Sequence, residues 1–552
     1  MMAGARFWRK WTFWHWVTAV SLLVLAVVLV YPVGQLLIKS FVAKDGGFTL
    51  KNYVTFLSKR YYRLALTNSL WVCTVSTIIA TAIGVPMAFL LTRYRLPGKP
   101  LIRTLIILSL LSPPFIGTYS WIVLLGRAGI ITRAMEAIGI TLPTIYGPRG
   151  IILVFSLHFF PYVYLFTSAA LQSIDRSLEE AAANLGVNGW TRFRTVTLPL
   201  VLPAISAGAL MAFMSALADF GTPQLIGEGF QLLPIAAYSE YMNEIGGNPG
   251  MAGALSMGLV VISAVALFLQ RWVTRRSFSM SSLRPPEVVD LPLGRKILAT
   301  AFCYLVVLVA ILPQVVVVVS SFRKTKGPIF LNEFGLDNYI TIFDRVPGAV
   351  ANTFRLSTVA IVIMVIAGLL MAYVITRRRS AATAALDVML LVPYVLPGTV
   401  IGIALVTAFN RPPLVLTGTA TILILSYVIR KISYTVRSAS SVLTSLDPSL
   451  EEASINLGVG PVASFFRVTA PLVFKGVLAG AVLSWVTTIN ELSSTIILYH
   501  AGTITMPVAI YSQVISDNFG LAAALSTILT LATVVSLWLF NKLAGKDSGL
   551  LM

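Results

Sequence analysis

Uninterrupted apolar runs recur along the whole of this chain; AFCYLVVLVAILPQVVVVV, from Ala301 to Val319, is one. Runs of some twenty residues cross a hydrocarbon core of about 30 Å. Lipid offers backbone N–H and C=O groups no partner, so only helices or closed barrels span it. These runs are continuous rather than alternating, which selects helices. Twelve spans are expected, at about 17–38, 66–92, 102–126, 150–173, 200–224, 250–273, 297–320, 352–376, 384–408, 416–439, 472–498 and 519–543. The chain therefore reads as an all-α, polytopic integral membrane protein. Only 11% of its 552 residues are charged, against about 25% in soluble domains.

The net charge is +20, from 41 basic and 21 acidic residues. In a membrane protein such an excess reflects basic residues retained in cytoplasmic loops, so a lipid bilayer and not nucleic acid is the expected surrounding. Cys73 and Cys303 fall inside apolar runs, where buried packing is the default reading. His158 alone makes no metal site, and the sequence names no metal ligands.

The chain repeats itself. FTLKNYVTFL from Phe48 matches FGLDNYITIF from Phe334, and LTRYR from Leu91 matches ITRRR from Ile375. SLEEAAANLGVNGWTRFRTVTLPL, Ser177 to Leu200, returns as SLEEASINLGVGPVASFFRVTAPL, Ser449 to Leu472. LLPIAAY from Leu232 matches TMPVAIY from Thr505. The halves are expected at 1–273 and 297–552, joined by a polar cytoplasmic linker, 274–296, that holds Pro285, Pro286 and five basic residues. An even number of spans per half gives both copies one orientation, a parallel repeat of six helices each.

Basic residues orient the spans. Arg6, Arg9 and Lys10 precede the first; Arg93, Arg95, Lys99 and Arg103 follow the second; Arg377, Arg378 and Arg379 follow the eighth. The segments 227–250 and 499–518 have no Lys or Arg. Both termini are thus expected in the cytoplasm, with the two polar loops on the same side. The loop after the first span runs against this rule, with Lys39, Lys44, Lys51, Lys59, Arg60 and Arg63.

Each polar loop reads as a short helix, started by a capping box (Ser177 with Glu180, Ser449 with Glu452). It stops at a left-handed glycine, Gly186 or Gly458. A rigid protrusion shown twice around a pseudo-two-fold axis suits a two-fold symmetric partner. The pattern E-A-A, three residues, G, nine residues, aliphatic-x-L-P resembles the signature of binding-protein-dependent ABC importer permeases. Here it stands as Glu180-Ala181-Ala182, Gly186, Val196 and Leu198-Pro199. The second copy has Glu452-Ala453-Ser454, Gly458, Val468 and Ala470-Pro471, with small residues at both departures.

The resemblance implies the type I ABC importer permease fold, a bacterial inner-membrane location and a periplasmic substrate-binding protein. It also implies two copies of a cytoplasmic ATP-binding subunit that contact the loops through Glu179, Glu180, Ala181, Ala182, Gly186, Glu451, Glu452, Ala453 and Gly458. The chain carries no phosphate-binding loop, since the nearest approach, Gly34 to Ser40, lacks the second glycine. ATP and Mg are therefore expected in the partner subunits, and no cofactor or enzymatic activity in this one.

Ionisable residues inside spans are costly and mark candidate function. Asp219 and Glu491 occupy equivalent positions after the two loops, with Thr222, Asn490, Ser493 and Ser494 nearby. Two readings stand: a substrate path or gate, or a structural role at the helix end. Arg430 and Lys431 in the tenth span are placed to pair with Glu491 or to snorkel. Pro113-Pro114, Pro393 and Pro397 are expected to break the third and ninth spans. ADFGTPQLIG and the stretch from Glu491 to Tyr511 resemble ferric iron importer permeases. The same fused layout also serves thiamine, 2-aminoethylphosphonate and sugar phosphates. Rival classes are a secondary transporter of the major facilitator type, which has no use for the paired loops, and a channel or scaffold working without ATP.

Overall fold

The computed structural model describes residues 12–43, 46–243, 247–274, 288–327 and 329–544. Arg6, Arg9, Lys10, Lys44 and, of the expected linker, residues 275–287 lie outside them. Nine helices among the described residues are long and apolar enough to cross a membrane, or eleven if two bent pairs count as single spans. The helix Ala420–Ser445 is long enough too, at 26 residues; Arg430, Lys431 and Arg437 make it more polar. Both proline breaks are present. The third span divides at Ser112-Pro113, between Lys99–Leu111 and Pro114–Leu125. The ninth divides between Ala381–Val395 and Gly398–Phe409. Proline lacks the N–H and clashes with the preceding turn, so the ladder stops at Pro113 and Pro397; Pro393, also expected to break the ninth span, stays inside its helix.

The chain gathers into two compact units, and they do not coincide with the sequence halves. One comprises 1–49, 339–512 and 525–550; the other is essentially 50–338 with 513–524. Each unit holds the body of one repeat and the first span of the other. In the first-named unit, Trp14 packs its ring 4.2 Å from Tyr373 and 4.9 Å from Phe465. In the other, Cys303, Val307 and Ala310 of Leu293–Ser321 complete a core with Ile102, Ile106 and Met87. The described end of the linker adds to this unit: Val289 bridges Tyr94 in parallel, and Asp290 meets Arg95 and Lys296.

Within each repeat the second, fourth and fifth helices pack closely through glycine. A Cβ on Gly208 would lie 2.8 Å from Val163 Cα, and one on its counterpart Gly480 2.7 Å from Thr435 Cα. Gly84 and Gly368 are equally crowded by the same neighbouring helices. Small residues let spans approach where lipid supplies no hydrophobic drive between them.

Candidate functional site

The two polar loops fold alike. The first is a helix, Arg176–Asn184, whose cap is Asp175: its Oδ1 accepts from Ser177 N at 2.9 Å. The second is Ser449–Asn456, preceded by Asp447, whose Oδ1 accepts from Ser449 N at 2.9 Å. The capping boxes expected from Ser177 and Ser449 are therefore replaced by aspartates two residues earlier, which reach the first free N–H groups directly. The hydrogen bond from Ser449 N, with Arg377 adding to it, holds the Asp447 carboxyl below the usual carboxylate range.

Both helices stop as expected. Gly186 and Gly458 adopt φ of +76° and +87°, and Val187 N and Val459 N donate back to Ala182 and Ser454 carbonyls. The left-handed residue closes the helix without a Cβ penalty. The turn leaves Leu185 and Leu457 at the tip, 83% and 85% exposed. Each chain then re-enters through one π-helical turn, Phe193–Thr197 or Phe465–Thr469, before the next span.

The two adjacent glutamates in each loop part company. Glu179 points inward. Arg93 Nη1 and Nη2 donate to its two oxygens at 2.9 and 2.6 Å, and Thr197 Oγ1 donates at 3.0 Å. Glu451 accepts from Tyr373 OH at 2.6 Å and Thr469 Oγ1 at 2.9 Å. Glu180 lies at the surface, paired with Arg176 of its own helix, and Glu452 is exposed. Ala181 and Ala453 are exposed too, while Ala182 is buried. So Glu179 and Glu451 anchor the loop, and Glu180, Glu452 and the leucines present its outer face. Arg93, Thr197, Tyr373 and Thr469 were not among the expected site residues. The repeat carries the signal for two of them, since Thr197 and Thr469 match, and Arg93 read only as a topological charge.

Asp219 and Glu491 share one local role. Asp219 Oδ2 accepts from Thr222 N at 3.1 Å, and Glu491 Oε1 from Ser494 N at 3.2 Å. Each carboxylate thus closes the turn that leads into the short helix after its span, Gly221–Ile226 or Thr495–Leu498. Thr222 is buried and bonded to Thr118 Oγ1 at 2.9 Å. Asn490 donates to Val486 O at 2.9 Å, and Ser493 lies against Gly398 at the break in the ninth span. Glu491 also meets two buried cations, Arg430 and, at 3.2 Å, Lys431. The equivalent residues of the first repeat are His158 and Phe159, whose rings pack edge to face.

The family described as "Binding-protein-dependent transport system inner membrane component" matches residues 80–279 and 364–546. Each matched segment contains one loop. The ferric transport system permease protein FbpB of Actinobacillus pleuropneumoniae is 28% identical over 538 residues, covering 95% of this chain and 77% of that protein. The probable ABC transporter permease protein y4fN of Sinorhizobium fredii is 26% identical and covers 95% of both chains. The molybdenum transport system permease protein ModB of Escherichia coli is 32% identical over 219 residues, 39% of this chain and 93% of its own. The chain is thus a multi-pass membrane transport subunit with two copies of the matched unit, and it belongs to the inner membrane components of binding-protein-dependent transport systems.

Proposed function

We propose that this chain is the permease of an ABC importer that moves ferric iron into the cytoplasm of a bacterial cell. Two ATP-binding subunits, which hold the ATP and Mg, dock on the loops through Leu185, Glu180, Leu457 and Glu452. A periplasmic binding protein delivers the cargo to the other face, and both termini are cytoplasmic. The observation that carries this reading is the pair of matching protrusions, each rigidly anchored at Glu179 or Glu451 and apolar at its exposed tip. Anchoring lets a push on the tip reach the spans beyond. Exposed apolar tips call for a partner. The cargo assignment is supported by the likeness to ferric transport permeases over 95% of the chain.

The test is reconstitution of the chain with its companion ATP-binding and binding proteins in proteoliposomes, with labelled ferric iron outside. Uptake is expected to require ATP and to be abolished by Glu180→Lys with Glu452→Lys, while insertion is unchanged. Uptake in the double variant, or uptake without ATP, would overturn the reading in favour of a carrier or channel. A second cargo, an oxyanion, is favoured by one observation: Arg430 and Lys431 outnumber Glu491 in the buried cluster, and an excess cation suits an anion. Molybdate outcompeting iron in the same assay would establish it.

A further inference from the structure

We propose that two short helices, Lys51–Ser58 and Asp337–Arg345, lie in the bilayer interface on the face opposite the loops and are held there by phospholipid. This rests on the reading of the chain as a membrane permease, and it concerns two helices to which that reading assigns no role.

Each helix has two faces. On one, Asn52 and Phe56, or Asn338 and Ile342, are buried. Phe56 fits against Gly258, where a Cβ would come within 2.9 Å of the ring. Asn338 Nδ2 donates to Ser321 O at 2.9 Å and Arg323 O at 2.8 Å, tying its helix to the end of the seventh span. The buried face fixes how the helix is rolled. The other face carries Leu50, Val54 and Leu57 in one copy and Leu336, Ile340 and Phe343 in the other, each 55% to 65% exposed. The spacing i, i+4, i+7 puts each trio on one stripe.

Position names the occupant. One residue separates Ser58 from the span that starts at Arg60, and one separates Arg345 from the span that starts at Pro347. Each stripe is therefore tethered to a span end, where an amphipathic helix buries its apolar face about 5–10 Å into the headgroup and acyl boundary. The charges beside the two stripes differ: Lys51, Lys59, Arg60 and Arg63 flank the first, Asp337, Asp344 and Arg345 the second. The bilayer meets both copies, and both keep the same apolar trio. The basic residues beside the first stripe also match the charge of lipid phosphates.

The experiment uses the full chain in nanodiscs of phosphatidylcholine and phosphatidylglycerol. Val54→Cys and Ile340→Cys each carry a bimane, which native Cys73 and Cys303, both buried, do not take up. Lipids with a doxyl group near the headgroup are expected to quench both labels, and aqueous iodide neither, while a label on Lys59→Cys responds to iodide. Strong iodide quenching at positions 54 and 340, or shielding that appears only when the binding protein is added, would overturn the proposal. The readout needs neither ATP nor cargo, so a failure of the importer reading leaves it intact.

Discussion

Arg93 grips Glu179 with two parallel hydrogen bonds, and the pair is largely shielded, with side chains 9% and 19% exposed. The fork holds the first loop's helix to the end of the second span. Removing one partner of a shielded pair strands the other charge, at about 3–5 kcal/mol for full burial. Glu179 keeps Thr197 as a donor and some solvent, so Arg93→Ala is expected near the low end. Arg93→Lys supplies a point charge without the fork. Both variants should melt at lower temperature in detergent, and ATP-dependent uptake should fall further than the melting shift explains. Equal melting curves would show that the pair carries no load.

The second loop rests on a different contact. Tyr373 OH reaches Glu451 at 2.6 Å, while Arg377, the counterpart of Arg93, donates instead to Leu446 O. A hydrogen bond to a charged group contributes about 1.5–3 kcal/mol. Tyr373→Phe is therefore expected to weaken the second loop less than Arg93→Ala weakens the first. Melting of the two variants side by side checks the order.

At the tips the effect should fall on association and not on folding. Leu185→Asp and Leu457→Asp alter exposed side chains, where substitutions usually stay within about 0.5 kcal/mol. Co-purification of the ATP-binding subunit is expected to fall while melting is unchanged. Gly186→Ala differs, because φ of +76° costs a residue with a Cβ about 1–2 kcal/mol; it should lower both.

Much of this was legible in the sequence. The apolar runs set the helices, Pro113 and Pro397 set the breaks, and a glycine at one place in each copy set the loop's turn. What stayed hidden depends on side-chain partners far apart in the chain. Nothing adjacent distinguishes Glu179 from Glu180; Arg93, 86 residues away, and Thr197, 18 residues away, do. The caps moved from Ser177 and Ser449 to Asp175 and Asp447, whose carboxylates accept from the N–H groups of those two serines. The exchange of first spans between the compact units was illegible for a similar reason: an all-round apolar helix does not say which neighbour it packs on.

The buried cluster at Glu491 gives an unequal pair of mutants. Glu491→Gln leaves Arg430 and Lys431 facing each other with no carboxylate, and it also weakens the turn at Ser494. Lys431→Met leaves one cation and one anion in contact. The first is expected to reduce the yield of folded protein severely, the second only slightly. Comparison by size-exclusion chromatography in detergent decides, and equal yields would mean that Glu491 is not compensating these charges.

The glycine contacts yield a comparison in which the neighbour, not the substitution, is varied. At Gly480 a new Cβ would meet Thr435 Cα at 2.7 Å and Tyr434 O at 2.8 Å, both backbone atoms that no rotamer change removes. Gly480→Ala must push the tenth and eleventh spans apart, at the cost of about 1–3 kcal/mol typical of overpacking. Gly208→Ala meets Val163 Cα in the same way and should behave alike. Gly117 also lies within a helix but has no atom within 4 Å of the added carbon. There alanine removes about 0.8–1 kcal/mol of helix penalty. Thermal unfolding in one detergent should therefore rank Gly117→Ala at or above the parent chain and the other two below it. A destabilised Gly117→Ala beside an unaffected Gly480→Ala would mean that the spans do not pack as closely as these distances require.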